Sequence, residues 1–270
     1  KEAASVRVLS WDTFIGSSPL KGVKSALTIG VFDGIHPGHT RLLDAVLSSG
    51  AEESMVLTFR YNPRRFLKPH LFPGDIMTLE QKLSRLEDMG IDTVVLIDFS
   101  NDFSKLTGRE FIVSIQRNCR LRLLVLGDNF RCGYRGATNA YDVRDILAEQ
   151  RIEVDIEPPV TWNGATLSST RIRAAIREGE VEEAREMLHG PFVLDIASAS
   201  VNRKEDLRSI EKASLHQVLP PPGSYLVDIR TPTRVFSDTL SVDHEELMWS
   251  YHGEEETNTI EFVRKTGEGA

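Results

Sequence analysis

The sequence predicts an α/β fold, in which a doubly wound parallel sheet is followed by a small β-rich, barrel-like domain. In the first 190 residues, short apolar β-branched runs alternate with amphipathic helical patterns, which is typical of right-handed βαβ units. After Gly190-Pro191 this alternation is replaced by short β-like runs separated by proline and glycine. We therefore predict two domains, residues 1–190 and 191–270.

The first domain is assigned from hydrophobic periodicity. Strands are predicted at Ala26–Phe32, Ser54–Phe59, Thr93–Ile97, Leu123–Leu126 and Ile152–Ile156. Helices are predicted at Thr40–Ser48, Thr78–Met89, Thr107–Ile115, Ala140–Gln150 and Val181–Leu188, and another one after Leu167. Two of them begin with a capping box, Thr78 with Gln81 and Thr107 with Glu110.

The second domain shows weaker patterns. Its β-like runs are Phe192–Ala197, Tyr225–Ile229, Arg234–Phe236 and Thr257–Val263. A helix is considered around Glu205–Leu215, and the tail Lys265–Ala270 is predicted to be disordered.

Composition excludes several classes of protein. The 270 residues are 40% hydrophobic and 27% charged, as in an ordinary soluble globular protein. The net charge of −8 disfavours a general nucleic-acid binder. No apolar run is long enough to span a membrane, and the N-terminus lacks the apolar core of a signal peptide. With two cysteines and no CxxC, we expect a reduced, cytoplasmic protein.

The most informative stretch is Gly30–His39, which reads GVFDGIHPGH. It lies between a predicted strand and a predicted helix, and Asp33-Gly34 is a turn dipeptide. Pro37 suits the first turn of a helix because its missing N–H would have no helical partner there.

The two histidines of this stretch suggest a phosphate site. His36 and His39 are three residues apart and would share one helix face. Gly38 lets a ligand approach the backbone closely. Two imidazoles beside free N–H groups and the positive end of a helix suit phosphate. Half of a metal site is the alternative, but no matching ligand cluster is visible, so we assign no metal residues.

Further polar segments follow other strands. The loops at Arg60–Arg65 and Gly127–Gly136 would lie with the histidine turn at the carboxyl edge of the sheet, where ligands bind. In Leu167–Arg173, hydroxyl residues that can cap a helix precede two arginines in its first turn. Arginines there oppose the helix dipole, which makes sense if an anion binds between them.

Two anion-binding helix starts suit a triphosphate. The sequence has no GxxxxGK[ST], no GxGxxG and no GxSxG, so neither a P-loop nor a nucleophilic serine is indicated. In-line displacement at phosphorus remains, catalysed by positioning and charge neutralisation, with Mg²⁺ bridging phosphate oxygens.

Four motifs in order carry a resemblance to a known family. They are GVFDGIHPGHTRLL, VLTFRYNPRRFL, VLGDNFRCGYRG and LSSTRIRAAIREGEVEEAREMLHGPF. Together they resemble the bacterial riboflavin kinase/FAD synthetase family over about residues Val6–Phe192, in its FMN adenylyltransferase module. The resemblance implies a Rossmann-like fold and the reaction of ATP with FMN to give FAD and pyrophosphate.

The resemblance also implies roles for individual residues. Catalysis would fall to His36, His39 and Arg173. ATP would be bound by Gly30, Phe32, Asp33, Gly38, Ser168, Ser169, Thr170 and Arg171. The flavin side would be bound by Asn62, Pro63, Asp128, Asn129 and Arg131.

The sequence departs from the family pattern at several positions. Thr40 replaces a usual Gln, Asn62 replaces a common His, and Cys132 interrupts a Phe-Arg-Phe-Gly pattern. In the second domain the Gly-Phe-Pro-Thr-Ala-Asn motif of the family's kinase module is absent, and only Leu219–Arg230 resembles a kinase strand. We therefore expect a degenerate kinase-like domain without riboflavin kinase activity.

Other functions stay open at this point. Another HxGH adenylyl- or cytidylyltransferase is the nearest alternative, and a non-catalytic flavin or nucleotide sensor is the next. An aminoacyl-tRNA synthetase is disfavoured because no KMSKS-like segment is visible. The expected partners are the small molecules ATP and FMN, with no nucleic acid or membrane, and the sequence does not give the oligomeric state.

Overall fold

The computed structural model describes residues 5–100, 103–251 and 253–266. The chain forms two compact units. The first contains the chain up to His70 together with Lys82–Thr166, and the second contains Leu71–Gln81 together with the chain from Leu167 onward. The domain boundary at residue 190 stays a prediction. Within the second unit, the helical segment after Leu167 packs against the C-terminal strands.

The first unit is an α/β structure. Its strands are β1 Arg7–Ser10, β2 Leu20–Ile29, β3 Glu53–Phe59, β4 Thr93–Ile97, β5 Cys119–Gly127, β6 Arg131–Cys132, β7 Thr138–Asn139, β8 Glu153–Glu157, β9 Thr161–Trp162 and β10 Ala165–Thr166. Its helices are α1 Trp11–Ser17, α2 Pro37–Leu47, α3 Pro63–Leu67, α4 Leu79–Asp88, which starts in the second unit's segment, α5 Gly108–Asn118 and α6 Ala140–Ala148. Short 3₁₀ turns lie at Pro69–Leu71, Phe103–Lys105 and Tyr134–Gly136.

The central sheet has six parallel strands in the order β1-β4-β3-β2-β5-β8. Strand order reverses between β2 and β5, which creates the crevice where open α/β sheets bind ligands. The central strands are almost wholly buried, as expected when helices cover both faces. A core of buried aliphatic and aromatic side chains, including Trp11, Phe14 and Phe111, packs against the sheet.

The second unit is mostly antiparallel. Its elements are α7 Ser169–Glu178, α8 Val181–Leu188, β11 Phe192–Asp195, β12 Asn202–Lys204, β13 Leu207–Glu211, a 3₁₀ turn Lys212–Ser214, β14 Gly223–Arg230, β15 Val235–Val242, β16 Glu246–Ser250 and β17 Thr259–Lys265. The seven strands form one curled sheet, a half-barrel, in the order β11-β17-β14-β15-β16-β13-β12.

The segment Leu71–Gln81 belongs to this unit because buried Gln217 binds it. The Gln217 amide donates to the carbonyl oxygens of Ile76 and Val193 at 2.9 Å, and its own oxygen accepts from the Asp195 amide at 2.7 Å. The backbone of Asp75 pairs with that of Gln217 as a parallel bridge.

The predicted fold class is confirmed in both parts, and both predicted capping boxes form. Several local predictions were wrong. The helix considered at Glu205–Leu215 is instead strand β13 and a 3₁₀ turn, because this segment pairs with β12 and β16. Strand β2 ends at Ile29, so Phe32 is not in a strand. The tail Lys265–Ala270 was predicted to be disordered, but its first residue, Lys265, is the last residue of β17. Residues 267–270 lie outside the described residues.

Candidate nucleotide site

The turn after β2 has an unusual backbone. Phe32, Gly34 and Ile35 have φ values of 51°, 90° and 35°. Non-glycine residues in this left-handed region each cost about 1 kcal/mol or more and persist where packing holds them. Phe32 is fully buried and Ile35 is 5% exposed, so both side chains anchor the turn in the core. The turn is therefore a fixed connection to α2.

This turn brings the two predicted histidines together. His36 is the N-cap of α2, and Pro37 is its first residue, as predicted. The rings of His36 and His39 stack with centroids 3.9 Å apart and planes 17° from parallel. The backbone carbonyl of His36 accepts from the amides of His39 and Thr40 at 2.7 and 3.0 Å.

Both imidazoles have an unsatisfied buried atom. The Nδ1 atoms of His36 and His39 find no hydrogen-bond partner within the part of the chain that the structure describes. The N-cap residue also makes no side-chain bond to the first turn of α2. A buried polar atom without a partner costs about 1–3 kcal/mol, so the pair is suited to receive a polar ligand group.

Burial keeps both rings neutral. It lowers the pKa of His36 to about 4, against a small opposing effect from a backbone hydrogen bond. Burial also lowers the pKa of His39, and the His36 ring and the Lys82 charge add to this. Near neutral pH each ring therefore offers one N–H donor and one lone pair, and an anion bound beside them would raise both pKa values.

Two glycines in this stretch leave room for neighbouring aromatic rings, because they have no side chain. A Cβ atom on Gly38 would lie 3.1 Å from Cε1 of His36, and one on Gly30 would lie 3.0 Å from the ring of Phe32. The ring of Phe32 in turn lies 5.1 Å from that of His39, centroid to centroid. Gly38, which was predicted to admit a ligand, thus also leaves room for the ring of His36, and Gly30 leaves room for the ring of Phe32.

One charged residue here escaped the sequence interpretation. Lys82 on α4 is 6% exposed, and its Nζ donates to the carbonyl oxygens of Val31 and Phe59 at 3.0 and 3.1 Å. It lies within an amphipathic helical pattern, where a lysine ordinarily faces solvent. Its contacts with these two carbonyls, which lie far from it in the sequence, form only in the folded chain.

The predicted flavin-side residues lie after β3 and β5. Asn62 is buried and caps the short helix α3, because its side-chain oxygen accepts from the amide of Arg64 at 3.1 Å. Pro63 is the first residue of α3. The predicted loop Arg60–Arg65 is therefore partly helical.

The segment after β5 is exposed. Asp128 accepts a hydrogen bond from the hydroxyl of Tyr141 at 2.7 Å, and this contact raises the pKa of the Tyr141 hydroxyl. Asn129 follows it, and Arg131 begins β6, which pairs with β7. Tyr141 was not predicted as part of this group.

The predicted phosphate-binding helix lies in the second unit. Ser168 is the N-cap of α7, and its hydroxyl accepts from the amide of Arg171 at 3.3 Å. Ser169 and Thr170 occupy the first turn. The guanidinium of Arg171 lies 3.9 Å from the carboxylate of Glu183 on α8.

Arg173 is buried, with 4% of its surface exposed. Its Nε donates to the carbonyl oxygen of Gly74 at 2.9 Å, and its guanidinium lies 5.4 Å from the ring centre of Phe72. The segment that Gln217 secures therefore also orients Arg173. This dependence on residues about 100 positions earlier could not be read from the local SSTRIR pattern.

Within residues 5–100, 103–251 and 253–266, no group of three or more histidine, cysteine or acidic residues could hold a metal ion. None of the helices in those ranges combines the length and apolar character needed to cross a bilayer.

Comparison with known proteins identifies the family. The family model described as FAD synthetase matches residues 20–171, more than half of the chain. The chain belongs to the FAD synthetase family. The match includes the His36–His39 turn, the loops after β3 and β5, and the start of α7.

Named relatives agree with this membership. A bifunctional riboflavin kinase/FMN adenylyltransferase of Buchnera aphidicola is 30% identical over 62% of this chain and 55% of its own length. A protein of Listeria monocytogenes named FAD synthetase is 28% identical over 78% of this chain and 84% of its own. The chain spans about 55% of the length of the two Buchnera relatives that it matches.

A solved structure shares the fold. It is described as a macrolide-efflux protein from Streptococcus pneumoniae and superposes with a TM-score of 0.83. The match covers 98% of this chain and 92% of the other at 22% identity, so the likeness concerns the fold.

Proposed function

We propose that this chain is an FMN adenylyltransferase, which transfers AMP from ATP to FMN and releases pyrophosphate. The observation that carries the proposal is the stacked histidine pair at the start of α2, in which both Nδ1 atoms are buried and unpartnered among the described residues. It stands beside the point where strand order reverses, in a chain of the FAD synthetase family.

In the proposed reaction, a phosphate oxygen of FMN attacks the α-phosphorus of ATP. The new P–O bond forms as the bond to the α–β bridging oxygen breaks, and that oxygen leaves with pyrophosphate. Negative charge grows on the bridging and equatorial oxygens. Imidazole N–H groups of His36 and His39 would donate to these oxygens, and the positive end of α2 would stabilise the same charge. Mg²⁺ bound to the ATP phosphates would supply further charge neutralisation.

We assign the remaining residues by the same proposal. Gly30, Phe32, Asp33 and Gly38 would shape the ATP side of the turn. Ser168, Ser169, Thr170, Arg171 and Arg173 would bind the β- and γ-phosphates. Asn62, Pro63, Asp128, Asn129 and Arg131 would border the flavin, with Asn62 acting through the shape of α3 because its oxygen caps that helix.

We also propose that the second unit does not phosphorylate riboflavin. Its sequence has no Gly-Phe-Pro-Thr-Ala-Asn motif, although several relatives that align with it are named as bifunctional enzymes. FMN would then be supplied by a separate phosphorylation of riboflavin. FAD synthesis by this chain would take place in the cytoplasm.

The test is to incubate the purified chain with Mg²⁺-ATP and either FMN or riboflavin, and to separate the flavins by chromatography. FAD from FMN alone is the expected result. FMN or FAD from riboflavin would contradict the loss of kinase activity. If the folded protein forms no flavin product, the adenylyltransferase proposal fails, and nicotinate mononucleotide, phosphopantetheine and a polyol phosphate should be tried as acceptors.

A further inference from the structure

Lys82 is a buried charge that the proposed reaction has not yet used. It lies near the start of α4, and its Nζ donates to the carbonyls of Val31 and Phe59 and, at 3.4 Å, to the more distant hydroxyl of Thr58. A buried lysine is rare unless it is paired, and a folded protein keeps it charged only where oxygens replace its water.

The positions of these oxygens relate Lys82 to the histidine turn. Phe59 is the last residue of β3, and Val31 directly precedes Phe32, the first residue of the turn with a positive φ. The carbonyl of Val31 also accepts from the hydroxyl of Thr58 at 3.0 Å. Two donors therefore fix the residue from which the strained turn starts.

We propose that Lys82 is a positioning residue of the nucleotide site, which ties the start of the histidine turn to the end of β3 and directs a buried positive charge at the phosphate-binding pair. The expected effect of Lys82 on catalysis rests on the proposed function. Its structural part, the effect of Lys82 on the turn and on His39, holds independently of which nucleotide is bound.

The electrostatics agree with this geometry. The groups that act on the His39 ring are His36 from the same turn and Lys82 from α4, and both lower the pKa of His39. The fixed charge of Lys82 would help to keep His39 a neutral donor in the free protein. The same cation would attract an incoming triphosphate, since the site excludes much of the solvent that screens charges.

The test compares Lys82→Gln, which keeps a donor without the charge, with Lys24→Gln as a matched control. Lys24 is an exposed lysine on β2 that pairs with Glu52 at 3.3 Å. Two readouts are needed: the NMR titration of His36 and His39 in the unliganded protein, and kcat and KM for ATP in FAD formation.

We expect Lys82→Gln to raise the pKa of His39 and to lower kcat/KM for ATP at least about tenfold, as misplacement of a positioned group does. Lys24→Gln should leave both readouts within about twofold of the wild type. A folded Lys82→Gln protein with a wild-type His39 titration and unchanged kcat/KM would overturn the proposal.

Thr58→Val is the second variant, and it tests the positioning of the Val31 carbonyl if Lys82→Gln does not fold. It keeps the ammonium group and removes one donor to the Val31 carbonyl. We expect an unchanged His39 titration and a roughly threefold or greater loss in kcat/KM for ATP; an unchanged kcat/KM would contradict the positioning role. If the wild type forms no FAD, the proposed function fails, whereas the NMR titration and calorimetric binding of ATP still test Lys82.

Discussion

Gly38 and the ring of His36 occupy neighbouring space so closely that a single added carbon would touch the imidazole. A Cβ at position 38 would meet Cε1 and Nδ1 of His36 at 3.1 and 3.2 Å. Such a distance is tighter than ordinary van der Waals contact, so the ring would have to move by a few tenths of an ångström. The glycine of the HPGH sequence thus sets where the imidazole lies.

The Gly38→Ala variant should separate the effect of Gly38 on the His36 position from its effect on stability. Alanine favours a helix over glycine by about 0.5–1 kcal/mol, so we expect the melting temperature to stay level or rise slightly. We expect kcat/KM for ATP to fall about five- to tenfold, because the His36 donor is displaced. Steady-state FAD formation and a thermal melt on the same sample measure both. A lower melting temperature with full activity would contradict the account.

His39→Ala should remove one donor to the transferring phosphoryl group. We expect kcat for FAD formation to fall about 10²–10³-fold, the usual effect of losing one such donor. His70→Ala is the matched control, since His70 is an exposed histidine in a 3₁₀ turn. It should retain wild-type kcat. Equal losses in the two variants would contradict the role of the pair.

The low pKa of His36 predicts an acid-sensitive fold. With a pKa of about 4 in the folded chain and about 6.5 in an unfolded chain, the unfolded state takes up the proton first as the pH falls. Stability from this group is complete above pH 6.5 and is lost progressively down to about pH 4, by on the order of 3 kcal/mol. Urea unfolding of the wild type and His36→Gln at several pH values measures this. The variant should show a shallower pH dependence, and parallel curves would contradict the prediction.

Arg173→Lys should affect both stability and activity. The lysine keeps the charge but loses the Nε bond to the Gly74 carbonyl and the stacking on Phe72. Because a buried carbonyl is left without its donor, we expect a loss of about 1–3 kcal/mol in the free energy of unfolding. We also expect at least a tenfold rise in KM for ATP. A lysine variant with wild-type KM and stability would show that the guanidinium geometry is unimportant.

Much of the fold could be predicted from local signals. The buried strand Thr93–Ile97 and the capping box at Thr107 appear as the sequence predicts, because short-range periodicity and side-chain capping decide them. Strand β1 and helix α1 were not predicted, since Val6–Gly22 shows no clear period until β1 pairs with β4.

The site was only partly predictable. His36 and His39 meet because the spacing HPGH at a helix start brings them together, which is a local matter. Phe32 was assigned to a strand, yet core packing holds it at positive φ. Lys82 and the carbonyl partner of Arg173 depend on contacts between segments far apart in the chain, and no local pattern carries that information.

The most direct test of the central claim follows the α-phosphate of ATP. The chain is incubated with FMN, Mg²⁺ and ATP labelled at the α-phosphorus, and the separated flavins are counted. Adenylyl transfer at the histidine pair predicts label in FAD with the wild type and about 10²-fold less or none with His39→Ala. Unlabelled flavin products only, or equal labelling of FAD by both proteins, would contradict it.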